Sequence, residues 1–164
     1  MAEKPKNIPK RPPQADRLVA ENRKIRYDYF VQEEIEAGMI LSGTEVKSLR
    51  KGRASITDAY ATEISGELWV LNVNIPEYEG GNRNNHEPKR PRKLLLHRKQ
   101  VSKLIGLIKI KGLTLAPLKI YFNGRGIAKI LLGVAKGKKE YEKREAVKER
   151  DWKREQRSLM KEKG

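Results

Sequence analysis

Apolar residues occur in short runs through the first 135 residues, and turn signals separate the runs. Runs of about 4–8 residues bounded by Gly, Pro, Asn or Asp are typical of β-strands. Two of them flank Ser65-Gly66 and predict a hairpin. Pro117 has no N–H to donate, so its strand is predicted to be an edge strand or a bulged one. Order should begin near Leu18. The first predicted strand covers residues 27–31 or extends through residue 35, with a bend at Gly38. The other predicted strands cover residues 39–41, 58–64, 67–72, 75–78, 93–97, 113–122 and 127–135.

Two other segments have the periodicity of a helix. Ser42 and Glu45 have the spacing of a capping box, and Gly52 follows, which predicts a short helix over about residues 44–51. Three cations share its outer side at i, i+3 and i+4: Lys47, Arg50 and Lys51. A second helix, ending near Gly112, is predicted from apolar residues at i, i+3, i+4 and i+7: Val101, Leu104, Ile105 and Ile108.

Many short strands with only two short helices predict a mainly β fold. A chain of 164 residues has room for one domain. The leading choice is a small antiparallel barrel of the oligonucleotide-binding (OB) type, whose sheet face and loops commonly meet nucleic acid. This domain is predicted to span residues 18–135. Residues 1–17 hold four prolines and little apolar surface, so we expect a disordered basic arm.

Residues 136–164 form a separate, highly charged tail with 12 Lys or Arg and 7 Asp or Glu. On a helix, four side chains of this tail fall on one side: Tyr141, Lys148, Trp152 and Leu159. Three apolar or aromatic groups cannot bury enough surface to hold a helix against the domain. The tail is therefore predicted to be disordered when free and helical against a partner. The alternative is a frayed, solvated terminus.

Basic residues exceed acidic ones, and the formal net charge is +16. Residues 18–135 alone hold 20 basic and 12 acidic groups, so the excess is not confined to the ends. Nucleic acid is the expected partner, because no stretch is apolar enough to span a bilayer and no basic segment has a broad apolar face. The chain has no cysteine, and its Lys- and Pro-rich start is unlike a secretory signal. We expect a cytoplasmic protein that is monomeric when free.

Two clusters of cations are attached to predicted elements. The first lies on and after the first helix: Lys47, Arg50, Lys51 and Arg53. The second lies in the loop of residues 79–92 and the strand after it: Arg83, His86, Lys89, Arg90, Arg92 and Lys93. Four tyrosines near these clusters can stack on unpaired bases or pack in the core: Tyr27, Tyr29, Tyr60 and Tyr78.

An enzyme needs an acid, base, nucleophile or metal group at one place. The chain has only two histidines. His97, at the end of an apolar strand, is predicted to be structural, and His86 is predicted to hydrogen-bond RNA or backbone. Glu33, Glu34 and Glu36 cluster without a nearby His or Asp to complete a metal site. No phosphate-binding loop or hydrolase motif is present. We expect no metal, no cofactor and no catalysis.

The sequence carries three long motifs in order: EAGMILSGTEVKSLRKGR at residues 36–53, NNHEPKRPRKLLLH at 84–97 and GVAKGKK at 133–139. With the pairs Lys143-Arg144 and Asp151-Trp152 that follow, they resemble small protein B, a bacterial family that binds transfer-messenger RNA. The resemblance runs from about Asn22 to Trp152. The family usually has Asp where this chain has Glu142, which keeps the charge.

The resemblance implies an OB-type barrel that holds the tRNA-like domain of transfer-messenger RNA. It implies trans-translation, the rescue of ribosomes stalled on messages without a stop codon, with the tail entering the empty messenger path. The RNA-binding residues expected from the family positions and the basic clusters are Asn22, Arg23, Lys24, Glu36, Lys47, Arg50, Lys51, Arg53, His86, Lys89, Arg90, Arg92 and Lys93. The expected ribosome-binding residues of the tail are Lys136, Lys138, Lys139, Tyr141, Lys143, Arg144, Lys148, Arg150 and Trp152.

Two other classes of protein share parts of this chemistry. A ribosomal or RNA-chaperone protein would have the same basic surface, but would accompany all ribosomes rather than stalled ones. An RNA-processing enzyme would turn over RNA in a purified assay.

Overall fold

The computed structural model describes residues 16–81, 84–110, 112–138 and 140–162. Most of the predicted arm, Arg83 and Lys139 lie outside the described residues. The mainly β fold is confirmed. In chain order the elements are β1 (Arg17–Glu21), α1 (Ile25–Asp28), β2 (Tyr29–Met39), α2 (Gly43–Arg50), β3 (Tyr60–Ile64), β4 (Glu67–Leu71), β5 (Arg92–Leu95), α3 (Arg98–Ile108), β6 (Leu113–Phe122), β7 (Ala128–Gly137) and α4 (Glu140–Glu162).

The seven strands form one antiparallel sheet in the order β1-β6-β3-β4-β5-β2-β7, and β7 also pairs with β6. Starting from β6, the pairings therefore pass through six strands and return to β6, with β1 outside this cycle. One buried apolar cluster draws on the strands and on two helices. Its fully buried members include Leu49 of α2, Val70 of β4, Leu104 of α3, Ile120 of β6 and Leu132 of β7.

The local turn chemistry follows the sequence. Ser42 and Glu45 form the predicted capping box at the start of α2, and Gly52 follows the helix with a φ of 75°. Ser65 and Gly66 have φ values of 53° and 79°. Two positive φ angles in a two-residue turn suit the right-handed twist of a hairpin, and β3 and β4 pair across it.

The element predictions needed four corrections. The five residues of β1 and the single turn of α1 were not predicted. No strand covers residues 75–78; the pairing there is an isolated bridge between Ser55 and Asn74. β2 continues through Gly38 without ending, and an added Cβ there would lie 3.3 Å from the Cβ of Leu95 on β5. Pro117 was predicted to lie in an edge strand or at a bulge, and the bulge is correct. The register between β6 and β7 shifts after Pro117, and β6 is not an edge strand because it pairs with β7 and with β1 and β3.

A buried carboxylate joins α2 to β5 and to the loop before β5. Glu45 is fully buried. Its side chain accepts hydrogen bonds from the backbone of Ser42 at 3.1 Å, from Nη2 of Arg90 at 2.5 Å, and from Nε of Arg92. Arg92 is also fully buried and donates to the carbonyls of Val73 at 2.7 Å and Pro88 at 3.0 Å. The bond of Glu45 with Arg92 is thus made in the interior, and the bond with Arg90 at its edge, because the Arg90 side chain is 36% exposed.

Burial by itself would raise the pKa of Glu45, but the hydrogen bonds from Arg92, Arg90 and Ser42 outweigh it, so the pKa lies below its ordinary value. A lowered carboxyl pKa contributes stability above the unfolded-state pKa of about 4.3. That contribution is lost as the pH falls through the folded-state pKa.

We predict that Glu45→Gln lowers the free energy of unfolding by about 3 kcal/mol at pH 7, because it leaves the guanidinium of Arg92 buried without a counter-charge. Urea unfolding from pH 7 down to about pH 3 should show a shallower acid dependence in the variant than in the parent. Glu79→Gln is the matched control, since Glu79 pairs with Arg53 at 3.0 Å on an exposed surface; it should not change stability measurably. A Glu45→Gln protein as stable as the parent would show that this pair does not hold the fold.

Candidate nucleic-acid interface

The outer side of α2 is cationic, as its periodicity predicted. Lys47, Arg50 and Lys51 are exposed, while Glu45, Ser48 and Leu49 form the buried side of the helix. The hydroxyl of Ser48 donates to the carbonyl of Pro76 at 2.7 Å, which fixes the helix against the loop before β5. Three cations therefore project from a rigid element.

The ring of Tyr78 lies beside two of these cations. The Nζ atoms of Lys51 and Lys47 are 4.9 and 5.6 Å from its centroid. Asn85 holds the backbone of Tyr78 at both polar atoms, with distances of 3.1 and 2.6 Å, and an added Cβ at Gly80 would lie 2.8 Å from the ring. The attraction of each ammonium group for the ring offsets part of their mutual repulsion. Tyr78 thus keeps two like charges side by side.

The remaining predicted cations of these clusters are partly engaged with acids on the surface. Arg53 pairs with Glu79 at 3.0 Å, and Lys93 pairs with Glu67 at 2.8 Å. Lys89 is exposed. Exposed ion pairs are weak, so a phosphate can compete for both cations.

Three residues predicted to contact RNA are buried: Asn22, which lines a groove described below, Arg92 and His86. Arg92 has no exposed surface. His86 is also buried: its Nε2 donates to the carbonyl of Ile75 at 2.8 Å, and its Nδ1 lies 2.9 Å from the hydroxyl of Thr44. Both side chains hold the loop on α2. The bond of His86 to the Ile75 carbonyl is the backbone alternative of its prediction, and contact of either side chain with RNA stays a prediction. The side chain of Arg90 is partly exposed, at 36%, and its inner side pairs with Glu45.

Glu36 is exposed on β2 and accepts a hydrogen bond from the hydroxyl of Tyr121 on β6. Burial, together with this hydrogen bond to a carboxylate, raises the pKa of Tyr121, so the phenol stays a donor. A groove of about 450 Å³ beside Glu36 is lined by Gly38, Leu95, Leu96, His97, Gln100 and Lys129. His97 is the N-cap residue of α3 and is exposed, and its backbone N–H donates to the side chain of Gln100 at 3.4 Å. The structural role predicted for its side chain stays a prediction.

Lys129, Leu95 and Gln100 were missed as candidates. Lys129 lies on β7, inside an otherwise apolar run of residues 127–132. A single charge in such a run was a usable signal, because a charged side chain must leave the core face of the strand.

A second groove, of about 410 Å³, surrounds Asn22 at the end of β1. Asn22 is buried; its backbone N–H donates to the carbonyl of Leu118 at 2.8 Å, and its amide reaches the carbonyl of Thr57 at 3.4 Å. The groove is also lined by Lys24, Ile25, Asp28, Tyr29, Asp58, Ala59, Tyr60, Thr114 and Ala116. Arg23 is exposed, 3.6 Å from Glu21. Of the lining residues, Tyr60 is 42% exposed and can present its ring to a base.

The tail is described as the helix α4, with Trp152 59% exposed and Glu149 paired with Lys153 at 3.2 Å. The tail is helical here without a partner; that it is disordered when free and becomes helical on a partner stays a prediction. The side chain of Tyr141 lies outside the described part. The other described members of the predicted tail set lie on this helix or just before it: Lys136, Lys138, Lys143, Arg144, Lys148 and Arg150.

Within residues 16–81, 84–110, 112–138 and 140–162, no three His, Cys, Asp or Glu side chains gather closely enough to hold a metal ion. Over the same ranges, no helix has both the length and the apolar character needed to cross a membrane.

The chain is similar in sequence to a known protein family. A family model described as SmpB protein matches residues 19–162. The SsrA-binding protein of Nitrobacter hamburgensis is 57% identical over 150 residues, which is 92% of this chain and 96% of that protein. The SsrA-binding protein of Sphingomonas elodea is 55% identical over 148 residues, 90% of this chain and 92% of the relative.

A solved structure described as "tmRNA-SmpB: a journey to the center of the bacterial ribosome" contains a similar chain. Its TM-score is 0.64 at 53% sequence identity, covering 77% of this chain and 92% of that chain. Since the family model spans both the strand domain and α4, and the relatives match along nearly their whole length, this chain belongs to the SmpB family.

Proposed function

We propose that this chain binds the tRNA-like domain of transfer-messenger RNA and delivers it to stalled ribosomes for trans-translation. The observation that carries the proposal is the family match over residues 19–162, which includes the domain and the tail together. The relatives are named for binding SsrA, and the similar solved chain comes from a complex of transfer-messenger RNA on the ribosome. The protein acts in the cytoplasm, where ribosomes are, and as a binding protein without catalysis.

The domain is an OB-type barrel in this proposal. The cycle of pairings from β6 through β3, β4, β5, β2 and β7 back to β6 supports it, because closing a sheet on itself removes its edges. The outer side of α2, the Glu36 groove and the Asn22 groove then serve as its RNA-binding surface. Phosphates meet the exposed cations, while the carboxylate of Glu36 accepts from a base or a ribose hydroxyl, since a phosphate would repel it.

The tail has a different partner. Its cations contact phosphates of ribosomal RNA in the empty messenger channel, and Trp152 stacks on a base or fills a pocket there. The messenger channel of the ribosome has room for the α4 helix only when no messenger RNA occupies it. Binding of the tail in the channel therefore depends on the absence of messenger RNA.

We predict that charge reversal at Lys47 and Arg50 together weakens binding of the tRNA-like RNA by at least about tenfold, or 1.4 kcal/mol. The slope of log affinity against log salt should shrink by about 0.7–0.9 for each phosphate that the variant no longer neutralises. Thermal stability should change by no more than about 0.5 kcal/mol, because both side chains are exposed. The matched control reverses Lys103 and Lys109 on α3 and at its end, which changes the net charge equally. An equal drop in affinity in the control would mean that only net charge matters.

We predict that truncation after Lys139 leaves affinity for free transfer-messenger RNA within about twofold, or 0.4 kcal/mol. The same truncation should abolish peptide tagging of ribosomes stalled at the end of a message, because the segment that enters the channel is gone. Affinity is measured by filter binding, and tagging in a reconstituted translation system with the full-length chain as reference. Normal tagging by the truncated chain would refute the assigned role of the tail.

A further inference from the structure

The chain leaves the domain along α1. The backbone N–H of Lys138 donates to the carbonyl of Asp28 at 3.0 Å, one step beyond the last β2–β7 pair. Its Nζ donates to the carbonyl of Arg26 at 3.1 Å and lies 4.7 Å from the centroid of the Phe30 ring. A cation here is favourable because the C-terminal carbonyls of α1 are otherwise unpaired within the helix.

Two further contacts join α4 itself to α1. Nζ of Lys143 lies 3.5 Å from the carboxylate of Asp28, and the guanidinium of Arg150 lies 5.8 Å from the centroid of the Tyr27 ring. The two side chains of the ion pair are only 27% and 28% exposed, so water and salt screen this pair less than a fully solvated one.

These contacts select one face of α4. Residues seven apart on a helix lie about 20° apart around its axis, so Lys143 and Arg150 share a side. By the same geometry Trp152 lies about 180° and Leu159 about 160° from Lys143. Both are largely exposed, at 59% and 58%. The face that meets α1 is thus cationic, and the face turned away carries the aromatic and apolar groups.

We propose that Asp28 and Tyr27 are positioning residues that fix the direction and the rotation of α4 where it leaves the domain. The contact turns the side with Lys148, Trp152 and Leu159 outward, toward the partner of the tail. The effect of this contact on ribosome rescue rests on the proposed function, whereas the contact between α1 and α4 is independent of it. Each contact is weak and depends on salt, so α1 orients the helix without holding it against a stronger partner.

The contact is tested in the full-length protein without RNA. The chain has no cysteine, so Ser102→Cys on α3 and Ser158→Cys on α4, both exposed, give two unique sites for spin labels. Pulsed electron resonance then measures the distribution of distances between domain and tail. Asp28→Lys and Lys143→Asp should each broaden the distance distribution at least about twofold relative to the parent. The double variant Asp28→Lys/Lys143→Asp, which exchanges the two charges, should narrow the distribution again. Glu67→Lys, which breaks a surface pair with Lys93, is the matched control and should leave it unchanged. A distribution that Asp28→Lys does not broaden, or that the double variant does not narrow, overturns the proposal.

The functional consequence is tested with Asp28→Asn, which keeps the shape and removes the charge. Because Asp28 also lines the Asn22 groove, tagging is compared at transfer-messenger RNA concentrations that saturate both the parent and the variant. Peptide tagging in a reconstituted translation system should then fall severalfold in Asp28→Asn, and Asp28→Glu should restore it. Unchanged tagging in Asp28→Asn would overturn the positioning role. Failure of the parent chain to bind the RNA would instead refute the proposed function, so the two failures are distinguishable.

Discussion

The enclosure of the Glu45 carboxylate by Arg90 and Arg92 is the interaction on which the rest of the surface depends. A buried ion pair is tolerated only when every partner stays in place, because each charge left alone in the interior is costly. Arg92 begins β5 and also holds the carbonyls of Val73 and Pro88, so one guanidinium ties a strand and both ends of the preceding loop to α2. Residues 72–81 and 84–91, before β5, have little regular structure. The hydrogen bonds of this cluster hold them in place of the backbone bonds of a strand pair.

The position of the outer cations follows from that inner cluster. Once the loop is held on α2, His86 bridges Thr44 and Ile75, and Asn85 closes on the backbone of Tyr78. The ring of Tyr78 then lies where Lys47 and Lys51 reach it. The positions of Lys47 and Lys51 on the surface therefore depend on the buried side chains of Glu45, His86 and Arg92. The basic stretch of residues 84–97 thus includes polar side chains, those of His86 and Arg92, that hold the fold.

Local signals predicted the local structure well. The bounds of β6 match the predicted strand of residues 113–122, because ten residues of strong apolar character leave little choice, and the Ser42–Glu45 cap and the Ser65-Gly66 turn follow from short-range chemistry. β1 and α1 are too short for any period to show. The burial of Arg92 could not be read from its neighbours, since its partner lies 47 residues away in sequence. Glu45 forms the predicted capping box with Ser42. Nothing in the neighbouring sequence indicated that the same carboxylate also binds Arg92.

Besides cations in exposed surface pairs, such as Arg53 with Glu79, three groups of cations in this chain differ in the acid beside them. Arg92 meets its acid in the interior, where the pair is shielded from water, and so stabilises the fold. Lys143 meets Asp28 at a half-solvated site, where attraction is enough to orient a helix but not to hold it against a stronger anion. Lys47, Arg50 and Lys51 have no such acid among their described ion pairs and remain exposed. The burial of the opposing carboxylate thus distinguishes three roles. Arg92 stabilises the domain, Lys143 orients the tail helix, and Lys47, Arg50 and Lys51 remain available to a polyanion.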